Sequence, residues 1–143
     1  MPLPDIHPSW YHVLALVCSV VYLYARAPAG RIALVAIMLL ADSLDGATAR
    51  RYNHTSRAGY IVDVATDRAS EAFIFAAAAG RTLGQAFFLL WLVNCALAFY
   101  SIRANRHTAL PLRFAWLVVL IIQATAAYAL LASRLNLEAI ALP

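Results

Sequence analysis

Apolar residues run along this chain in five blocks, each close to the roughly 20 residues a helix needs to cross the hydrocarbon of a bilayer. The first extends from about Trp10 to Arg26, with Trp10 and Tyr11 at one end and Tyr22 and Tyr24 at the other, a placement that suits the aromatic belts of the two interfaces. The second starts after Arg31 and ends near Arg50, the third covers about Gly59 to Ala79, the fourth Leu83 to Ile102 and the fifth Phe114 to Ser133. Blocks two and three are fully apolar for only half their length, and their polar halves adjoin the short segment between them. A segment in lipid has to satisfy its own backbone groups, so each block is expected to be a helix. The pattern predicts an all-α, polytopic transmembrane bundle of about five spans, folded as one domain over residues 1–143.

Composition supports the membrane reading. Of 143 residues, 64% are hydrophobic and 13% charged, far from the balance of a soluble domain. The net charge of +4 comes entirely from arginine, and the arginines sit at block ends without forming a basic stripe, which argues against a nucleic-acid partner. Arg50, Arg51, Arg57, Arg103, Arg106 and Arg113 share one side of the predicted bundle, against Arg26, Arg31, Arg81 and Arg134 on the other. The positive-inside rule therefore turns the 50–58 loop toward the cytoplasm of a cell-membrane protein, with the N-terminus inside and the C-terminus outside. Cys18 and Cys95 lie in apolar runs and read as small buried hydrophobes. The start, Met-Pro-Leu-Pro-Asp, lacks the positive region of a secretory signal, so no cleaved segment is expected.

The polar halves of blocks two and three carry the chemistry. Four of the five aspartates fall in one window, Asp42-x2-Asp45-Gly46-x2-Ala49-Arg50-x8-Gly59-x3-Asp63-x3-Asp67. One ionised carboxylate at membrane depth costs roughly 2.5–3.5 kcal/mol, and four together also repel one another unless a positive charge is bound among them. Hard carboxylate oxygens suit a divalent ion such as magnesium or manganese. On helices, Asp42 and Asp45 share a face with Gly46 and Ala49, while Gly59, Asp63 and Asp67 repeat every four residues on the next helix. At 1.5 Å per residue, Asp42 and Asp67 both lie on the order of 10 Å inside the connecting loop, so the four carboxylates are expected to converge across a helical hairpin. Ion pairs with Arg50, Arg57 or Arg68 are the structural alternative, and close helix packing is the alternative for Gly46, Ala49 and Gly59.

With all eight fixed positions filled and every gap correct, this window resembles the signature of the class I CDP-alcohol phosphatidyltransferases. The resemblance implies a metal-dependent transfer of a phosphatidyl-type group from a CDP-alcohol, a CDP-lipid above all, to a small polar alcohol, with release of CMP, in phospholipid biosynthesis. It implies two Mg2+ or Mn2+ ions held by Asp42, Asp45, Asp63 and Asp67, with Asp45 bridging and Asp67 as the catalytic base. It further implies that Asp42, Asp45, Gly46, Ala49, Arg50, Ser56 and Gly59 bind the cytidine nucleotide, and that the protein is a homodimer. Family members usually have six spans, one more than the five blocks counted here.

The acceptor is less sharply written. Asp67-Arg68-x2-Glu71 is similar to a variant found in members that use inositol phosphate and in related archaeal enzymes, and Tyr100-Ser101-Ile102-Arg103 with Leu112-Arg113 loosely resembles their basic acceptor segment. Arg68, Arg103, Arg106 and Arg113 are therefore expected at the acceptor, with topology and anionic headgroups as the plainer reason for the loop arginines. Asn53-His54-Thr55 matches a glycosylation sequon but falls in the predicted cytoplasmic loop, and Gly80-x3-Gly84 has a dimerisation spacing that straddles a turn. His7, His12, His54 and His107 have no mutual ligand spacing, and Asn94 and Gln123 are expected to hydrogen-bond between helices. Two other functions compete with the transferase: a small cation or proton transporter using the aspartates as its path, and a catalytically silent, shortened relative.

Overall fold

The computed structural model describes residues 9–52, 56–104 and 108–141, with side chains described as far as Leu135. Five helices follow in order: α1 (Ser9–Tyr24), α2 (Pro28–Arg51), α3 (Arg57–Ala78), α4 (Thr82–Ala104) and α5 (Leu112–Ala141). No strand occurs among the described residues. Local chemistry sets several boundaries. Pro28 opens α2, where its missing N–H is one that a first turn leaves unused anyway. Arg50 and Arg51 close it, favourably placed at the negative end of the helix dipole. Ser56 caps α3, its Oγ accepting from the Gly59 amide at 2.9 Å.

Gly84 has the clearest packing role. A Cβ added there would collide with the Ala78 carbonyl and lie 2.8 Å from the Ala78 Cβ, so the tight α3–α4 turn requires glycine. Gly80, its partner in the dimerisation spacing, meets nothing within 4 Å.

Helices α2 and α4 and the Leu112–Leu135 part of α5 are long and apolar enough to cross a membrane, which makes the protein an integral membrane protein. Those three meet that measure among the described residues, and the five helices match the all-α membrane bundle that the pattern predicts. Helix α1 is apolar but has only 16 residues, about 24 Å at 1.5 Å per residue. Helix α3 carries Arg57, Asp63, Asp67, Arg68 and Glu71, and its charge density takes it below the apolarity of a free-standing span. Burial has the inverted sense of a membrane bundle. Val13, Val17, Leu89, Leu92, Ile122 and Leu130 are exposed, while Ser19, Thr48, Ser70, Glu71, Asn94 and Arg113 are buried.

Helix α1 packs on both α2 and α3, α4 packs on α3, and α5 packs on α2 and more lightly on α4. Helices α2 and α3 are not among the closely packed pairs despite their short connection. Helix α1 therefore bridges the two motif helices. Phe75 of α3, Phe87 of α4 and Trp116 of α5 form an aromatic cluster with ring centroids 4.9 to 5.8 Å apart, in offset and edge-on geometries that such rings prefer. Trp116 Nε1 also donates to the Tyr22 hydroxyl of α1 at 2.8 Å. This knot fixes the start of α5 against the other helices.

Candidate active site

The predicted residues fall on two helices. Asp42, Asp45, Gly46, Ala49 and Arg50 project from α2, and Asp63, Asp67, Arg68 and Glu71 from α3. Asp42 lies within electrostatic range of Asp63 and Asp67, and Asp63 within range of Asp45 and Asp67. The four carboxylates thus form one cluster, whose mutual repulsion a nearby positive charge would offset.

Two cationic or ligating side chains from outside the motif enter this cluster. Arg113, one turn before the aromatic anchor Trp116, is 5% exposed. Its guanidinium pairs with Asp42 and lies 2.6 Å from Asp67, bridging α2 and α3. A second nitrogen donates to Asp42 Oδ1 at 3.2 Å, the forked geometry that arginine offers and lysine does not. From the α1 side, His12 sets Nε2 3.6 Å from Asp45 Oδ2 and Nδ1 3.9 Å from Asp63 Oδ1. One ligand atom each from His12, Asp45 and Asp63 lies within 4.8 Å of the others. The aspartates therefore divide into a pair engaged by Arg113 and a pair faced by His12.

The ion pairs differ from the expected structural alternative. Of Arg50, Arg57 and Arg68, only Arg68 approaches an aspartate, at 4.0 Å from Asp67 among the described contacts; its closer partner is Glu71 Oε2 at 2.9 Å. Arg113, expected to face the acceptor, supplies the main cation instead. His12 had no ligand spacing in the chain because its place depends on α1 packing against two helices. The one signal available was a titratable side chain early in an otherwise apolar block. Glu71 is buried beside Asn94 of α4, whose amide nitrogen donates to it at 3.3 Å. Asn94 also binds both backbone groups of Leu110, at 3.1 and 2.9 Å. The expected interhelical role of Asn94 is thus present and reaches the α4–α5 connection; Gln123 lies on an exposed face of α5.

The remaining predicted residues occupy distinct places. A Cβ on Gly46 would meet only the Arg50 guanidinium, at 3.2 Å from one nitrogen. The nearest side chain to it is thus one from its own helix. Gly59 is exposed, and its added Cβ would meet only Ser56 Oγ at 3.1 Å. Ala49 is half-buried on the same helix as Gly46. Arg103 is exposed and lies over the Phe99 ring at 5.2 Å, a cation–π contact. Arg106, His7, His54 and His107, with the Asn53-His54-Thr55 sequon, lie outside the described residues. Cys18 is buried and Cys95 half-buried, and both are free thiols.

Beside the cluster, a cavity of about 90 Å³ opens between α3, α4 and the start of the α5 connection. Its polar wall includes Tyr60, Asp63, Asp67, Arg68, Ser101 and Thr108. Ser101 Oγ is occupied by Thr108, donating to its carbonyl at 2.8 Å and accepting from its amide at 2.9 Å. Arg68 Nε is buried and has no hydrogen-bond partner among the described residues. A small hydroxylated molecule here would have Asp67 on one side and an arginine donor on another.

The family model described as CDP-alcohol phosphatidyltransferase matches residues 6–142. No curated protein and no solved structure matches the chain.

Proposed function

The chain belongs to the CDP-alcohol phosphatidyltransferase family, and we propose that it moves a phosphatidyl group from a CDP-lipid to a small polar alcohol and releases CMP. The observation that carries this reading is the carboxylate cluster shared by α2 and α3, with Arg113 pairing Asp42 of one helix and Asp67 of the other. The negative charge of a nucleotide diphosphate needs counter-charge beyond Arg113. The donor set fits divalent metal, because carboxylate oxygens from two helices converge on one region. Asp42, Asp45, Asp63 and Asp67 would hold the ions. When bound, Mg2+ or Mn2+ would place Lewis-acid charge on the pyrophosphate oxygens.

The chain's own residues account for the remaining work. Gly46, whose nearest neighbour is the movable Arg50 side chain, and Ala49 would leave a low wall on α2 for the cytidine. Arg50, Ser56 and Gly59 complete the nucleotide side. Arg113 ties Asp42 to Asp67 and so sets the spacing of α2 and α3. The acceptor occupies the cavity beside Asp67, whose wall includes Arg68, and an arginine there favours an acceptor bearing its own phosphate. Asp67 takes the hydroxyl proton, the alcohol oxygen bonds to the lipid-bearing phosphorus, and the bond from that phosphorus to the CMP oxygen breaks.

We further infer that the site faces the cytoplasm and that the protein works in the cell membrane as a homodimer. The test is turnover of a CDP-lipid by purified protein offered several acceptors, with phosphorylated and plain polyols side by side. Formation of a new phosphodiester lipid and CMP, abolished by chelator, supports the reading. Cation flux through vesicles without lipid turnover would support the transporter, and nucleotide binding without turnover the silent relative.

A further inference from the structure

The side chain that the proposed chemistry leaves unused is His12. It comes from α1, outside the motif, and both ring nitrogens face carboxylates, one on each motif helix. The separations of 3.6 and 3.9 Å are longer than hydrogen bonds to these oxygens. One ion can take only one ring nitrogen, and one ligand atom each from His12, Asp45 and Asp63 lies within 4.8 Å of the others, near the roughly 3 to 4 Å between atoms that share an ion at about 2.0–2.2 Å. The imidazole is half-buried, on a helix that turns Val13, Leu14 and Val17 outward.

We propose that His12 is a metal ligand, joining Asp45 and Asp63 from α1, and that this nitrogen donor tunes the site toward manganese over magnesium. The proposal rests on the metal-dependent transferase reading and adds a residue outside its motif. An all-oxygen set has no strong preference for a transition metal over magnesium, whereas imidazole suits transition ions and is a poor partner for magnesium. A ligand on α1 also makes metal binding a three-helix event: the ion would hold together α1, α2 and α3, of which α1 packs on both of the others. The other reading of the same contacts is a plain ion pair in which protonated His12 balances two aspartates.

The two readings separate by spectroscopy on the full chain in detergent, without turnover. Mn2+ bound to the wild-type protein should show the electron-spin-echo modulation of a directly coordinated 14N. His12→Ala should lose that modulation and weaken Mn2+ on the order of tenfold or more while changing Mg2+, read by competition, much less. Wild-type Mn2+ without nitrogen modulation overturns the proposal, and this result does not depend on the variant folding. So does a folded His12→Ala protein that keeps both the modulation and its Mn2+ affinity. Failure of Mn2+ to bind the wild type at all, with CMP present, would overturn the metal-dependent reading along with it. Binding without nitrogen coordination removes only the role of His12.

Discussion

Asp67 sits between two roles that its surroundings set in tension. It lies 2.6 Å from the Arg113 guanidinium, which stabilises the carboxylate, and it lines the cavity proposed for the acceptor, where it must accept a proton. Replacing it with asparagine preserves shape but removes the basic oxygen. Asp67→Asn is expected to lower kcat by about 10²–10⁴-fold, the usual span for loss of a general base, with CMP binding retained. A residual rate above about a tenth of wild type would show that Asp67 is not the base. For Asp42, Asp45 and Asp63 the expected signature differs, because each loss removes a charged ligand. Their asparagine variants should raise the metal concentration needed for half-maximal rate as well as lowering the rate, as a metal titration would show. Arg113 is a positioning residue by the same geometry. Arg113→Gln leaves Asp42 and Asp67 without their shared partner, and losing one member of a buried pair costs about 3–5 kcal/mol. The metal-free variant should melt earlier than wild type, and Mn2+ should restore more stability to it than to the wild type, both read by thermal unfolding.

At the scale of helices, the informative feature is that the motif was legible and its supports were not. The spacing from Asp42 to Asp67 is local, so helical periodicity alone placed Asp42 and Asp45 on one helix and Asp63 and Asp67 on the next. The same periodicity read the pair as a helical hairpin, and α1 packs on both of its helices while α5 packs on α2. Arg113 reaches Asp42 across 71 residues, and no pattern in the chain joins such distant positions. It is fixed by the aromatic knot around Trp116, one turn farther along α5, which depends on three other helices. The Asn94 bridge belongs to this scale as well. It joins Glu71 of α3 to the Leu110 backbone, three residues before Arg113. Asn94→Leu should therefore loosen the α4–α5 connection and raise the KM for the acceptor more than that for the CDP-lipid. Equal effects on both constants, or none on either, would show that the bridge serves stability alone. Ala49→Leu makes the converse case on α2: a larger side chain on the nucleotide wall should raise the requirement for CDP-lipid. Unfolding with unchanged nucleotide affinity would instead favour a helix-packing role.

At the scale of the whole molecule, the charges explain why the bundle is arranged around the carboxylate cluster. Helix α3, with five charged residues, is stabilised in a bilayer by the helices that cover its polar face: α1 on one side and α4 on the other. Its partner α2 is apolar enough to span the membrane but turns two aspartates inward. A metal–nucleotide complex on the cluster would therefore add contacts between α2 and α3. A ligand that binds the folded state alone stabilises it by about 2.7 kcal/mol at a hundredfold excess over its Kd. CMP and Mn2+ together should accordingly raise the unfolding temperature of the purified protein by several degrees, and by more than the sum of their separate effects. That excess arises because the nucleotide phosphate and the aspartates would share the ion, so each ligand improves the site for the other. A cation transporter would respond to Mn2+ with no added effect of CMP. The silent relative would show the full coupling without turnover, so the thermal measurement decides whether the cluster is a nucleotide site before any acceptor is known.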